Sequence, residues 1–243
     1  MLDLVKCDIG YGPRIVLPKL NLTLAAGERV AILGPSGSGK STLLKHLHQI
    51  LKSKASFCAQ SQTLVDNLSV YHNIFMGALG RHNVLYNIVN LLYPFKQNRQ
   101  EITQLCLTLE LDCELQQQVE YLSGGQRQRV ALGRAIYQQQ ALFLGDEPFS
   151  ALDPAMGERL LQQVFDAHQS VICVLHDPIM AMKHFDRIIL LQEGTKTFDG
   201  PATTLSQAHL QACYDHDLSK KASDLPELNP LNQHNPDEYH CVR

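Results

Sequence analysis

Arg29-Val30-Ala31-Ile32-Leu33-Gly34-Pro35-Ser36-Gly37-Ser38-Gly39-Lys40-Ser41-Thr42-Leu43-Leu44-Lys45-His46-Leu47 decides the reading of this 243-residue chain. Arg29 to Leu33 is an apolar run and reads as a short buried strand, while Leu43 to Leu47 reads as the start of a helix. Between them, Gly34 to Thr42 fits G-x-x-x-x-G-K-[ST] in the strand–loop–helix context that gives the pattern its mechanism. Gly34, Gly37 and Gly39 lack Cβ, so the loop can curl with its N–H groups turned inward. Those donors and the helix N-terminus form an anion site. Pro35, Ser36 and Ser38 complete the loop, with Thr42 just inside the helix. Lys40 can reach the β- and γ-phosphates of a nucleotide, and the Ser41 hydroxyl can ligate Mg²⁺. The alternative is a glycine-rich turn. With Gly at about 7% of residues, chance gives such a match roughly once in a hundred chains of this length.

Two further stretches point the same way. Ala141-Leu142-Phe143-Leu144-Gly145-Asp146-Glu147 is an apolar strand that carries two carboxylates to its C-terminal end, where open α/β sheets bind ligands. Asp146 can hold Mg²⁺, and Glu147 can orient or deprotonate an attacking water. The alternative is a strand-to-turn junction whose acids face solvent. Val171 to Leu175 is another apolar strand. His176 stands at its end, 29 residues after Glu147, and is read as reaching the γ-phosphate. Ser123-Gly124-Gly125 can cap and open a helix through Arg134, with exposed N–H groups able to bind an anion. Tyr11, 23 residues before Gly34, can stack on adenine or pack at a sheet edge.

The rest of the chain supplies the frame. Residues 2–9 and Ile15–Leu24 read as strands. Ala55–Gln60 is a short strand ending in Gln60. Residues 67–118 read as a mostly helical insert with one turn signal at Tyr93-Pro94. A helix is expected over 155–168 and a last strand over Arg187–Leu191. From about Asp215 the chain turns polar and reads as a loosely ordered tail, in which Asp215-His216-Asp217 reads as solvated sooner than as a metal site.

Composition limits the function. Apolar residues make up 44% and charged residues 19%, as in a globular protein. The net charge of -3 gives no field for nucleic acid. No signal segment and no run of about 18 apolar residues is seen. The longest apolar stretch, Val84 to Phe95, is broken by Asn87 and Asn90. Seven scattered cysteines without a C-x-x-C pair suit a reduced cytosolic protein. Cys106 and Cys113 could share one helix face, and core packing is the reading preferred to metal binding there.

With these sites in one order, residues 2–205 resemble an ATP-binding-cassette ATPase. Gln60 matches the family's glutamine loop, and Leu122-Ser123-Gly124-Gly125-Gln126 its signature letter for letter. Asp146 and Glu147 match the Mg²⁺ carboxylate and catalytic glutamate. Ser150–Asp153 resembles the loop that contacts the partner subunit, and His176 the switch histidine. The resemblance implies an α/β fold, a P-loop NTPase (RecA-like) doubly wound core with an inserted helical subdomain. It also implies one ATPase domain over 1–215, with core 1–60 and 127–215, helical subdomain 61–126, and a tail over 216–243. ATP and Mg²⁺ are the implied cofactors, Gln60 joining Ser41 and Asp146 at the metal. Two copies would pair head to tail, so that Ser123, Gly124, Gly125 and Gln126 meet the nucleotide of the opposite copy. Integral membrane permease subunits and, indirectly, an extracytoplasmic solute-binding protein are the implied partners, with no nucleic acid. The chain would sit peripherally on the cytoplasmic face of the inner membrane.

A narrower resemblance lies in Phe75–Phe95. Met76-Gly77, then Leu79-Gly80-Arg81 and an apolar run ending at Tyr93-Pro94, is similar to phosphonate-importer ATPases. Importers of other small solutes, a soluble cassette acting on DNA or ribosomes, and a nucleotide switch without turnover are the rival readings. One departure stands out. Gln60 follows Lys40 by only 20 residues, so the antiparallel β-subdomain of the family is expected to be shortened.

Overall fold

The computed structural model describes residues 2–52, 54–59, 64–206 and 209–210. Two strands, β1 (Leu2–Tyr11) and β2 (Arg14–Leu24), pair antiparallel as a sheet of their own, with Tyr11 opposite Arg14 at the turn. Next come β3 (Arg29–Leu33), α1 (Lys40–Leu51) and β4 (Ala55–Cys58). Only residues 52–54 separate α1 from β4, too few for another hairpin, in keeping with the short interval expected there.

The helical stretch follows: α2 (Val70–Phe75), continued by a 3₁₀ turn over Met76–Ala78, then α3 (Val84–Leu92) and α4 (Lys96–Thr108). A 3₁₀ turn at Val119–Tyr121 leads to α5 (Gly124–Ile136). The chain then alternates through β5 (Leu142–Asp146), α6 (Pro154–Ala167), β6 (Ser170–Val174), α7 (Pro178–His184) and β7 (Arg187–Gln192). The main sheet has the order β4-β5-β6-β3-β7-β8 and is parallel except at its last pair.

The central strands are apolar on both faces because both faces are covered. Val30, Ile32, Leu144, Ile172 and Val174 join a core with α1 and the β1–β2 hairpin. Ala31, Leu33, Phe143, Val171 and Cys173 join a second core with α2, α5 and α6. Two adjacent β residues therefore serve two cores, and the helical stretch shares one of them with the sheet.

Two expectations are corrected. Arg187–Leu191 is not the last strand, since β8 (Thr195–Pro201) returns antiparallel to β7. The turn between them places Glu193 at φ 48° and Gly194 at φ 76°. Two successive positive φ values are the hairpin geometry that matches strand twist. Cys106 and Cys113 do not share a helix, because α4 ends at Thr108 and Glu110 turns left-handed at φ 51°. Cys106 packs into the core, as anticipated. Asp215-His216-Asp217 and the rest of the tail lie outside the described residues, and so does Gln60.

Candidate nucleotide site

β3 and α1 set the phosphate loop. Gly34 stands at φ 144°, where an added Cβ would lie 2.0 Å from the Leu191 carbonyl of β7. Gly39, at φ 102°, caps α1 without a side-chain bond. The first-turn N–H groups of α1 are thereby left for a ligand. Ser38 is buried, and its Oγ has no hydrogen-bond partner among the described residues. A buried hydroxyl without a partner beneath a ring of amides is what an anion-binding cradle needs before its anion arrives. Lys40 is 5% exposed. Its ammonium donates to the Gly34 and Pro35 carbonyls, both at 2.8 Å.

β5 delivers the acids. Asp146 ends the strand opposite Val174 and is 6% exposed. Burial pushes its carboxyl above the ordinary carboxylate range, and Glu147 next to it adds to this; Ser41 opposes both. The Ser41 hydroxyl donates to Asp146 Oδ1 at 2.9 Å. A hydroxyl and a carboxylate side by side are hard oxygen donors that fit Mg²⁺. No group of three or more His, Cys, Asp and Glu gathers among the described residues. An ion here would thus take most ligands from phosphate and water, as Mg²⁺ does.

Glu147 is held at φ 54°, a left-handed conformation that costs a side-chain residue about 1–3 kcal/mol. Its N–H still donates to the Val174 carbonyl at 3.1 Å, so the turn begins directly at the sheet edge. His176 Nε2 lies 2.6 Å from Glu147 Oε1. Both face a cleft of about 480 Å³ whose other walls include Tyr11, Ser36, Gly37, Gly39, Lys40, Ser41 and Thr42. Tyr11 is half exposed at its mouth.

Arg14 and Val16 line the same cleft and were not anticipated. Their signal was available: Arg14 pairs with Tyr11 across the hairpin, and Val16 follows on the same side of β2.

Ser123, Gly124, Gly125 and Gln126 do not line this cleft. Ser123 caps α5 by accepting from the Gln126 N–H at 3.3 Å, while Gln126 Oε1 accepts from the Ser123 N–H at 2.9 Å. This capping box fixes the helix start but leaves Ser123 and Gly124 exposed. Asp153 caps α6 in turn, accepting from the Met156 N–H at 3.0 Å.

A glycine cradle at a helix N-terminus, with acids at the C-terminal edge of a parallel sheet, defines a P-loop nucleotide hydrolase. The family model of the ABC transporter matches residues 17–150. The chain is 32% identical over 263 residues to a phosphonates import ATP-binding protein of Pseudomonas aeruginosa, covering 96% of each. It is 31% identical over 237 residues to the protein of that name from Caulobacter vibrioides, covering 84% of this chain and 89% of that one. Two dimeric structures of one bacterial ABC transporter cassette, one in a post-hydrolysis state with ADP and Pi, superpose with TM-scores of 0.71 and 0.69. Each is 26% identical to this chain, covering 83% of it and 99% of the other. The chain belongs to the ATP-binding-cassette family and is an ATP hydrolase of the transporter type.

Proposed function

We propose that this chain is the ATPase subunit of a phosphonate importer and works as a pair of copies beneath separate membrane subunits. Among the described residues no helix is long and apolar enough to cross a membrane, so the span would come from those partners. The chain would lie on the cytoplasmic face, with a solute-binding protein acting from the far side.

The observation that carries the docking half of this reading is α3, which is built inside out. Val84, Leu85, Ile88 and Leu92 form one stripe and are 73%, 73%, 51% and 69% exposed. Its buried face is Asn87 and Asn90. Asn90 accepts from Tyr71 Oη, the Phe95 N–H and Asn98 Nδ2. Asn87 donates to the Leu79 and His82 carbonyls. A helix that satisfies its polar side inward and turns its apolar side outward is shaped for a partner. The phosphonate half is supported by the relatives' names and by the Phe75–Phe95 segment that contains α3.

At the cleft, Lys40 and the loop amides would hold the β- and γ-phosphates, and Tyr11 would stack on adenine. Ser41 and Asp146, with Gln60, would hold Mg²⁺, which when bound neutralises charge developing on the phosphates. Glu147 would orient the attacking water and take its proton, with His176 beside it to meet the γ-phosphate. Ser123 to Gln126 would face the nucleotide of the second copy. The division into a core and a helical subdomain over 61–126 separates these two tasks. Glu147 and His176, both in place, speak against a switch without turnover.

The test is the ATPase rate with and without phosphonate, for the isolated chain and for the assembly with membrane subunits and loaded binding protein in liposomes. Only the assembly should respond, since a ligand shifts an equilibrium only through differential affinity for its states. Stimulation of the isolated chain would overturn the coupling. An assembly that ignores phosphonate but responds to another solute would overturn the solute alone.

A further inference from the structure

Gln128 lies on α5, five residues beyond Ser123, and is 4% exposed. It does not line the nucleotide cleft. Its amide instead reaches the turn that follows β5. Nε2 donates to the Glu147 carbonyl at 2.8 Å and approaches Ser150 Oγ at 3.3 Å. Oε1 accepts from the Ala151 N–H at 2.7 Å. One side chain thus uses both its donor and its acceptor to join α5 to both ends of a five-residue turn.

The turn has reason to need that clamp. Glu147 occupies a left-handed conformation at φ 54°, which persists only where the surroundings over-determine it. Its carbonyl also accepts from the Ser150 N–H at 3.3 Å and Ser150 Oγ at 3.1 Å. Both of those bonds are local to the turn and longer than the one from Gln128. The Gln128 bond brings the restraint from a different element, and it falls on the peptide that sets where the Glu147 carboxylate points.

We propose that Gln128 is a positioning residue for hydrolysis, holding the Glu147 peptide so that its carboxylate faces His176 and the cleft. Because Gln128 and Ser123 share one helix, a nucleotide of the second copy that engages Ser123 acts on α5. Gln128 passes that displacement to Glu147. The aim of Glu147 then depends on whether the opposite site is filled. This rests on the reading of Glu147 as the residue that orients water.

The test compares Gln128→Glu and Gln128→Met in the full chain. Gln128→Glu keeps the size and the acceptor for the Ala151 N–H but loses the donor to the Glu147 carbonyl. Gln128→Met keeps the approximate size and loses both. Misplacement of about 1 Å costs on the order of 10²-fold in rate, so kcat should fall about 10–100-fold. ATP affinity, measured by equilibrium binding, should stay within about twofold, which also reports that the fold survives. Placed in the Glu147→Gln background, Gln128→Glu should produce no further loss, because its effect passes through the group already removed. Unchanged kcat in Gln128→Glu would overturn the proposal, and so would losses that multiply in the double variant. Wild-type turnover by Glu147→Gln alone would instead overturn the reading of Glu147, and the positioning role with it.

Discussion

At the cleft, charge is drawn inward: Lys40 and Asp146 are 5% and 6% exposed, and Ser38 hides a hydroxyl without a partner among the described residues. On α3 the apolar groups are turned outward, with Leu85 at 73%, while Asn87 and Asn90 fill the interior. Burying charged groups is unfavourable, and so is leaving apolar side chains in water. A polyanion with its cation completes the cleft. An apolar partner surface, as proposed for α3, would cover Leu and Ile side chains, each contributing about 1.5–3 kcal/mol. On the proposed reading, chemistry and docking are written in opposite polarity on one chain, and substitutions should separate them.

The largest separation is expected at the cleft. Lys40→Ala removes the ammonium from the loop, and Glu147→Gln removes the group proposed to activate water. General-base catalysis contributes about 10²–10⁴-fold, so phosphate release by Glu147→Gln should fall by that range, and Lys40→Ala should lose measurable turnover. Both should still co-purify with the membrane subunits. Wild-type phosphate release by Lys40→Ala would break the assignment of the cleft.

Inside α3 the effect falls on stability. Asn90→Leu strips partners from Tyr71, Phe95 and Asn98. Each buried group left unsatisfied costs about 1–3 kcal/mol, and for a chain of this size each kcal/mol is about 2–4 °C of Tm. Calorimetry should show that fall while the basal ATPase per folded molecule holds. An unchanged Tm would mean that the polar interior of α3 carries no weight.

The smallest effect sharpens the cleft side. Burial raises the Asp146 carboxyl above its ordinary range, so the folded chain binds that proton more tightly than the unfolded chain. The resulting loss of stability is absent well below the unfolded pKa and grows as pH rises through the folded value. Asp146→Asn, which keeps an acceptor for Ser41, should therefore melt higher than wild type at pH 8 without nucleotide. The gap should narrow as pH falls through the raised folded value toward the ordinary carboxylate value. Saturating Mg-ATP should reverse the order, since it stabilises the form that binds it. A variant that melts lower at pH 8 would show that Asp146 is not strained by burial.

The cleft was readable because its strands are apolar up to the polar residues at their C-terminal ends. Leu142 to Leu144 run into Asp146 and Glu147, and Val171 to Leu175 run into His176, so sequence order alone places three polar side chains along one sheet edge. The turn at Glu193-Gly194 was legible, but β8 beyond it was hidden because Thr195–Pro201 is a polar edge strand with Phe198 its one large apolar residue. The orientation of α3 was hidden for a different reason. Periodicity identifies two faces but assigns the apolar one inward by default, and here Asn90 and Asn98 bond each other and the Tyr71 and Tyr86 hydroxyls inside. Gln128 carries no sequence signal at all, because its meaning depends on a turn 19 residues further along the chain.

The separation of chemistry from docking is tested most directly by Ile88→Glu, which puts a charge on the exposed stripe of α3. The rate of ATP hydrolysis is measured for the isolated chain and for the liposome assembly, each with and without phosphonate. A surface substitution of this kind changes stability by about 0.5 kcal/mol at most, so the isolated rate should match wild type, while the phosphonate-stimulated rise in the assembly should be lost. A variant stimulated as fully as wild type, or one whose isolated rate collapses, would contradict the account.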